Sequence, residues 1–245
     1  MPDYFSTWLA DGTRDVQIND RFMPMVLVKS VRLYENSFFR NTATQQCYAD
    51  IQLPPGSRIP FVFFSSPAAS DRASPVNLGN GYVRVLKWWN LPIQNFVDVY
   101  IFDQVQPASV SNIGFEVFDQ SGRKVFDDDW HLLRIAKIIN VGNEEGAPVF
   151  GANSVYWANS GVAGEIAVAK STYRRAIVAN GGIGGTWVQE CLWVNSQTGA
   201  VEQNWVLVDE DVIGFSSYPK GWINPQPTKI YVCRTNNLPL GYTRP

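Results

Sequence analysis

Short apolar stretches that end at turn signals are the feature that most constrains the fold of this chain, and residues 112–139 show it best. Phe115, Val117 and Val125 alternate with polar residues on either side of a glycine-containing turn at 119–122. An alternation with a period of two places one face of a strand in a core, and glycine supplies the positive φ that tight hairpin turns require. The stretch therefore predicts a β-hairpin, followed by a third strand where an apolar run resumes.

A looser copy of this pattern occupies residues 4–31, with a strand, a turn at Asp11 and Gly12, a return strand and a third strand. Asp-Gly between alternating runs is among the strongest short hairpin signals. Aligning the acidic ends of the two stretches, Asp20 with Asp129, requires a one-residue shift relative to their turn glycines. The similarity has two explanations, an internal repeat or the general likeness of any two hairpins.

No amphipathic helix of twelve residues or more is predicted. The closest candidate is 129–140, but its β-branched end and its position after a hairpin favour a strand. Two apolar runs around 196–199 predict another hairpin, because the four residues between them include a glycine. Two segments rich in small and polar residues, 34–46 and 68–80, are predicted to be loops.

Many short strands, frequent turns and no alternation of strands with helices predict an all-β fold. We expect two β-sandwich-like modules built from short antiparallel strands and hairpins. A polar segment with Pro107 in its middle is a plausible linker between them. The predicted modules are therefore residues 1–107 and residues 108–245.

The composition excludes several classes of partner. Hydrophobic residues make up 45% of the chain and supply a core, whereas charged residues are only 17%, against a usual share of about a quarter. The net charge is −2 and no segment is rich in Lys or Arg, so no nucleic acid partner is expected. No apolar run approaches the roughly 20 residues that span a bilayer, so no membrane span is expected. The first residues also lack the pattern of a signal peptide.

The three cysteines, Cys47, Cys191 and Cys233, are far apart, and no C-x-x-C motif occurs. With one histidine in the whole chain, a Cys/His zinc site of the usual kind is excluded. We expect three reduced thiols, mostly buried, and a Cys191–Cys233 disulfide is the alternative. No metal and no cofactor are expected.

Catalytic motifs are absent from the sequence. Ser/His/Asp or Cys/His chemistry would need His131, which an exposed or edge position explains better. The glycine-rich 180–185 lacks G-x-G-x-x-G and a following lysine, which excludes a phosphate-binding loop. The acidic run 127–129 lacks the EF-hand spacing and is expected to be a solvated strand end. Carboxylates near one predicted hairpin form no distinctive pair for glycoside hydrolysis: Glu190, Glu202 and Asp209. We therefore expect no enzyme and assign no catalytic residue.

Aromatic residues are the one compositional excess, with nine Trp, ten Tyr and fourteen Phe. Trp187 and Trp193 lie six residues apart, so on one strand both would face the same side, and Trp205 across the hairpin could join them. Aromatic side chains fill cores, anchor protein interfaces and stack on sugar rings. All three interpretations remain open for these tryptophans.

Residues 114–128 (G-F-E-V-F-D-Q-S-G-R-K-V-F-D-D) resemble a hairpin of small tail proteins of tailed bacteriophages. Residues 4–21 are similar to an N-terminal version of the same motif, and 97–102 also fit this family. The resemblance implies a virion structural protein of the distal tail, at the tail tip, the baseplate or the base of a fibre.

Proteins of this family are built from β-sandwich modules and assemble with rotational symmetry, commonly three-fold. The resemblance therefore implies other phage tail proteins as partners, a homo-oligomer, no cofactor and no catalysis. It also implies folding in the host bacterial cytoplasm before incorporation into the virion. The alternative is a receptor- or glycan-binding module of the tail that takes part in host attachment.

Overall fold

The structure is a computed structural model that describes residues 5–8, 14–18, 24–42, 46–68, 71–87, 92–104, 116–118, 121–122, 124–127, 129–143, 156–162, 164–179, 184–195, 198–213, 223 and 225–244. Within these ranges the regular structure is β, apart from one 3₁₀ turn at Glu35–Ser37. The prediction of an all-β, sandwich-like fold is confirmed. Within the same ranges, no helix is long and apolar enough to cross a membrane.

The described residues form strands β1 (Phe5–Trp8), β2 (Arg14–Ile18), β3 (Val26–Leu33), β4 (Phe39–Asn41), β5 (Gln46–Gln52), β6 (Phe61–Ser65), β7 (Ser74–Asn77), β8 (Tyr82–Lys87), β9 (Val97–Asp103), β10 (Glu116–Phe118), β11 (Lys124–Asp127), β12 (Ile135–Val141), β13 (Tyr156–Asn159), β14 (Ile166–Lys170), β15 (Arg175–Ala179), β16 (Gly184–Val194), β17 (Ala200–Ile213) and β18 (Thr228–Arg234). We call β1–β9 the first half and β10–β18 the second half.

Each half begins with the hairpin that the sequence predicts. Strands β1 and β2 pair antiparallel, as do β10 and β11, and a longer strand follows each pair. Gly122 has a φ of 79°, the conformation for which glycine was expected in the second turn. The first turn, Asp11-Gly12, lies outside the described residues. The strand alternative for 129–140 is confirmed for the second half of that segment, which β12 occupies.

Six strands form a sheet that both halves share, in the order β12–β18–β14–β6–β9–β3. Each half contributes three strands to this sheet. The first of the three in sequence (β3 or β12) is outermost, the second (β6 or β14) is central, and the third (β9 or β18) lies between them. The two middle strands, β6 and β14, pair antiparallel at Phe64 and Val168. The order of the strands from the edge to the centre is therefore the same in both halves, and the sheet has approximate two-fold symmetry.

Two four-stranded sheets form the second layer, β4–β5–β8–β7 in the first half and β13–β17–β16–β15 in the second. The series β5–β8–β7 has the same sequence order as β13–β17–β16. The halves differ in the added edge strand, which is β4 next to β5 in one and β15 next to β16 in the other. The matching strand order in both layers favours an internal repeat over a chance likeness of hairpins.

Each four-stranded sheet packs on its own half of the shared sheet. The first core joins the two layers through buried aliphatic and aromatic side chains, among them Val28, Phe64, Val83, Val85 and Val99. The second core does the same with Ile166, Val168, Leu192, Val201 and Ile230. The halves are also linked in the second layer, where Ala73 and Leu192 exchange backbone hydrogen bonds of 3.1 and 2.9 Å.

A third core lies on the other face of the shared sheet and includes Leu27, Phe63, Phe102, Ala167 and Cys233. The segment after β18 covers this face with Leu238 and Tyr242, and it also pairs with the outer edge of β3. The N–H of Ser30 donates to the carbonyl of Tyr242 at 2.9 Å, and the N–H of Arg244 donates to Val28 at 3.0 Å.

The shared sheet is strongly curled. Leu132 pairs with Val26 at the outer edge of β3, and the N–H of Leu133 donates to the carbonyl of Met25 at 2.9 Å. Only Arg134 separates Leu133 from Ile135, the start of β12 at the opposite edge of the sheet. The first and last strands of the sheet therefore approach each other at this end.

Both segments predicted as loops contain a strand, so that prediction was wrong in part. Strand β4 lies within 34–46 and β7 lies within 68–80, and these two strands are the edges of one four-stranded sheet. Edge strands bury less apolar surface than central strands, so their sequences alternate weakly. They also tolerate proline, which β7 carries at Pro75.

The predicted boundary between residues 107 and 108 lies outside the described residues, and the division into two modules remains a prediction. The shared sheet takes three strands from each side of that point. Each of those trios lies beneath the four-stranded sheet of its own half, as the two-module prediction requires. The trios nevertheless hydrogen-bond to each other, so the proposed modules have a common layer.

Candidate functional site

A cavity of substantial size lies at the junction of the two halves. It has a volume of about 570 Å³ and is lined by the start of β6, by β7 and by the segment that follows β14. Strands β6 and β14 pair only at Phe64 and Val168, and the cavity opens where they separate. The first half contributes apolar side chains such as Phe61 and Val76, and the second contributes the polar Lys170 and Gln189.

A fully buried charge cluster lies beside this cavity. Glu190 on β16 accepts hydrogen bonds from Lys170 Nζ at 2.6 Å and from Arg174 Nε and Nη2 at 2.8 and 2.7 Å. The second oxygen of Glu190 accepts the backbone N–H of Arg174 at 2.6 Å. Lys170 also donates to Gln203 Oε1 at 2.5 Å. All four donors to this carboxylate are therefore held in fixed positions.

The cluster contains two cations, Lys170 and Arg174, and one anion, Glu190, all with side chains that are 0% exposed. Burial disfavours the charged form of an amine. It lowers the pKa of Lys170 to about 8, although the neighbouring Glu190 acts in the opposite direction. Because its Nζ is already bonded to two acceptors and has no solvent contact, Lys170 is placed to hold strands together.

Arg174 connects the cluster to distant parts of the second half. Its Nη1 donates to the backbone carbonyl of Gly142 at 2.9 Å and to that of Asn143. These residues directly follow β12, so one guanidinium ties the end of that strand to β16. Buried charges of this kind specify one arrangement of loops, and leaving any partner unpaired is costly.

Polar contacts also cross from one half to the other. Gln189 Nε2 donates to Ser74 Oγ at 2.7 Å and to the carbonyl of Pro75 at 3.1 Å. Arg72 Nη1 lies 3.1 Å from Glu202 Oε1, and both side chains are largely buried. Together with the backbone pairing of Ala73, these contacts make the junction a rigid part of the protein.

The groups that line the junction can form hydrogen bonds and apolar contacts. Tyr173 lines the cavity, and its buried hydroxyl has no well-aligned hydrogen-bond partner among the described residues. No group of three or more His, Cys, Asp or Glu side chains suited to a metal occurs in the part of the chain that the structure describes. The sequence did not single out Lys170 or Arg174, because an isolated lysine or arginine on a strand usually points to solvent.

The three tryptophans singled out in the sequence do not share one face. Trp205 pairs with Glu190 across the β16–β17 hairpin, so it lies on the same face as Glu190 and packs on Val188. Trp193 is three positions from Glu190 on the same strand and therefore points to the opposite face, where it is only 7% exposed. Trp187 is half-buried. A role of these tryptophans in contacts with another protein or with a glycan remains a prediction.

The acidic run at 127–129 is less solvated than the sequence suggested. Asp127 is buried, and Lys124 Nζ donates to its carboxylate at 2.8 Å. Burial alone would raise the pKa of Asp127, but the hydrogen bonds from Lys124 and from the N–H of Asp129 lower it below its ordinary value. Asp129 is exposed, whereas Asp128 lies outside the described residues.

His131 and the cysteines are placed largely as expected. The His131 ring is edge-on to Tyr242 at a centroid distance of 5.4 Å, beside the outer edge of β3. Cys47, Cys191 and Cys233 are all free and buried, which confirms the prediction of reduced thiols.

Neither a protein-family model nor a curated protein nor a solved structure matches this sequence. The function therefore has to be inferred from the residues and from the geometry described above.

Proposed function

We propose that this protein is a structural subunit of the distal tail of a bacteriophage, at the tail tip or baseplate, and that it acts by binding neighbouring tail subunits. The observation that carries the proposal is the outer edge of β12. The resemblance of residues 114–128 to a hairpin of phage tail proteins supports it, because this hairpin, β10–β11, leads directly into β12.

Strand β12 pairs with β18 on one side, and no described residue pairs with its other side. Ile135 and Ile138 are 39% and 47% exposed, and Lys137 is the only charged residue of the strand. Soluble proteins protect exposed sheet edges with charges, prolines, bulges or covering segments. Lys137 and the register irregularity between Ile135 and Lys137 protect only the beginning of β12. The rest of the edge, from Ile138 to Val141, carries no charge and no irregularity, and it is a template for a strand from another chain.

The other edge of the shared sheet provides an internal comparison. Strand β3 holds the equivalent position in the first half, and its outer edge is covered by residues 131–133 and 242–244 of the same chain. The two halves therefore differ in whether this chain completes the outermost strand. In the proposed assembly, a neighbouring subunit supplies the missing strand of the second half.

A structural subunit needs a rigid fold rather than catalytic groups. The buried charge cluster at the junction contributes to that rigidity. A low proportion of charged residues also suits a surface that is buried in an assembly. Such an interface would bury more than about 1,000 Å² in total. The three-fold homo-oligomer implied by the resemblance is part of the same proposal.

The test is a substitution at the exposed edge, Ile138→Lys, carried by the presumed phage. Because a charge on an edge strand opposes pairing, we expect the variant to fold normally but to be lost from purified particles. Ile59→Lys is the matched control, since Ile59 is 70% exposed and lies before β6. Gold-labelled antibody on intact and disrupted particles should mark the distal tail in the wild type and in the control.

Normal incorporation of Ile138→Lys would contradict the assignment of β12 as the contact. Loss of the Ile59→Lys control instead would move the contact to the cavity that Ile59 lines. Absence of label from wild-type particles, with the protein free in the lysate, would overturn the proposal of a tail subunit.

A further inference from the structure

A second cavity, separate from the junction, lies on the face of the shared sheet that the segment after β18 covers. Its volume is about 250 Å³. Its wall includes Arg32, Phe96, Asp98 and Tyr100 from the first half, and Glu165 from the second. Pockets for drug-sized ligands measure about 300–1,000 Å³, so this one suits a smaller molecule, of the size of one sugar ring.

One side of the cavity is a preformed planar polar surface. Arg32 donates from Nε and Nη2 to the two oxygens of Asp98 at 2.7 and 2.8 Å. The guanidinium also lies 3.6 Å from the centre of the Phe96 ring, which fixes its plane. A guanidinium has five N–H groups, and Asp98 takes two of them. Arg32 remains 34% exposed, so it can donate to a ligand without moving.

Another part of the wall carries an uncommitted carboxylate. The side chain of Glu165 is exposed and makes no ion pair or hydrogen bond within the described residues. The backbone that carries this side chain is fixed, because the carbonyl of Glu165 accepts the N–H of Thr235 at 2.8 Å. Apolar surface completes the cavity, from Tyr100 and Leu238.

We propose that this cavity binds a neutral saccharide through one pyranose ring that carries neighbouring hydroxyl groups. A carboxylate accepts hydrogen bonds from two adjacent hydroxyls, and a guanidinium donates to hydroxyl or ring oxygens. The apolar surface of Tyr100 and Leu238 covers the C–H face of a sugar.

The charge balance opposes anionic ligands. Asp98 already neutralises Arg32, and Glu165 adds a negative charge, so the cavity repels phosphates and acidic sugars. The inference does not depend on the proposed tail function, because it uses none of the residues of β12.

The test measures saccharide binding to the purified full-length protein by saturation-transfer NMR, with D-glucose, D-galactose and D-mannose as probes. Purified surface polysaccharide of the host provides a second arm. We expect at least one probe to bind and the Glu165→Ala variant to lose about ten-fold or more in affinity, as expected for loss of a charged hydrogen-bond acceptor. Asp129→Ala is the matched control, because Asp129 is also an exposed carboxylate but lies outside the cavity wall.

Binding of a monosaccharide would identify the ring as the recognised unit, and binding of polysaccharide alone would identify a longer saccharide that includes it. Both outcomes support the proposal only if Glu165→Ala weakens binding and Asp129→Ala does not. No binding in either arm would overturn it. Equal binding by the wild type and both variants would also overturn it, because the sugar would then occupy another surface.

Discussion

Removing the buried amine of Lys170 tests the account of the charge cluster. In the native protein the pKa of Lys170 is about 8, against an ordinary value of 10.5. Between these two pH values the unfolded chain retains a proton that the native protein has released, so raising the pH favours the native state. Each pH unit in this window contributes about 1.4 kcal/mol, so full titration of Lys170 adds about 3 kcal/mol to the free energy of unfolding.

Burial is the main cause of the lowered pKa of Lys170, and the charge of Arg174 acts in the same direction. Below about pH 8 the cluster holds two cations and one anion, and above this pH the remaining pair, Arg174 with Glu190, is balanced. The Lys170→Met variant keeps the length of the side chain but cannot titrate. The free energy of unfolding of the wild type, relative to that of the variant, should therefore rise with pH.

The difference between the two proteins is the quantity to measure, because other groups act in the opposite direction. Burial raises the pKa of Cys191 and of Cys233 to about 12, so the unfolded chain loses those protons first and stability falls above about pH 9. These contributions are common to both proteins and cancel in the difference.

The assay is urea unfolding at about pH 7.5, 8.5 and 9.5. We expect the wild type to gain about 1–2 kcal/mol relative to Lys170→Met across this range. Lys229→Met is the control, because it removes a lysine that is exposed on β18. A pH-independent difference for Lys170→Met would refute the reasoning.

Two further predictions concern the backbone and the thiols. Gly199 has a φ of 71°, and a Cβ at this position would lie 2.6 Å from the carbonyl oxygen of Val162. At Gly161 only the positive φ would be strained, which costs about 1–2 kcal/mol. Gly199→Ala should therefore destabilise the protein by about 2 kcal/mol more than Gly161→Ala. Thermal unfolding of the two variants measures this, and equal losses would contradict it. Burial raises the thiol pKa of each of the three cysteines, so Ellman's reagent should label none of them in the native protein and all of them in urea; rapid native labelling would mean that the cores open.

The sequence predicted the parts of the fold that local chemistry determines. Glycine at Gly122 and at Gly199 marked two hairpin turns, and both residues have positive φ. The repeat of hairpin and following strand was visible because it occurs within short windows at 4–31 and 112–139.

Other features of the fold depend on which strands pair over long distances in the sequence. Short stretches of sequence contain no information about such pairing. The pairing of β6 with β14 joins segments that are about one hundred residues apart through one residue pair. No pattern in the local sequence predicts such a contact. Lys170 and Glu190 are ordinary strand residues until the fold places them together. The sequence left open whether Trp205 shares a face with Trp193, because the register of β16 with β17 decides it, and that register places the two side chains on opposite faces.

The contact between β3 and the segment after β18 bears on how the chain folds during synthesis. The hydroxyl of Ser30 is bonded to Tyr242, which is translated 212 positions later. At about 5–20 residues per second, β3 leaves the ribosome about 10–40 seconds before the residues that complete its outer edge. Residues 131–133 cover only the start of β3, so throughout that interval the edge around Ser30 is open and could pair with other nascent chains. Native closure of this edge therefore requires that translation has passed residue 244, and a polypeptide released earlier would be a substrate for chaperones and proteases rather than for assembly.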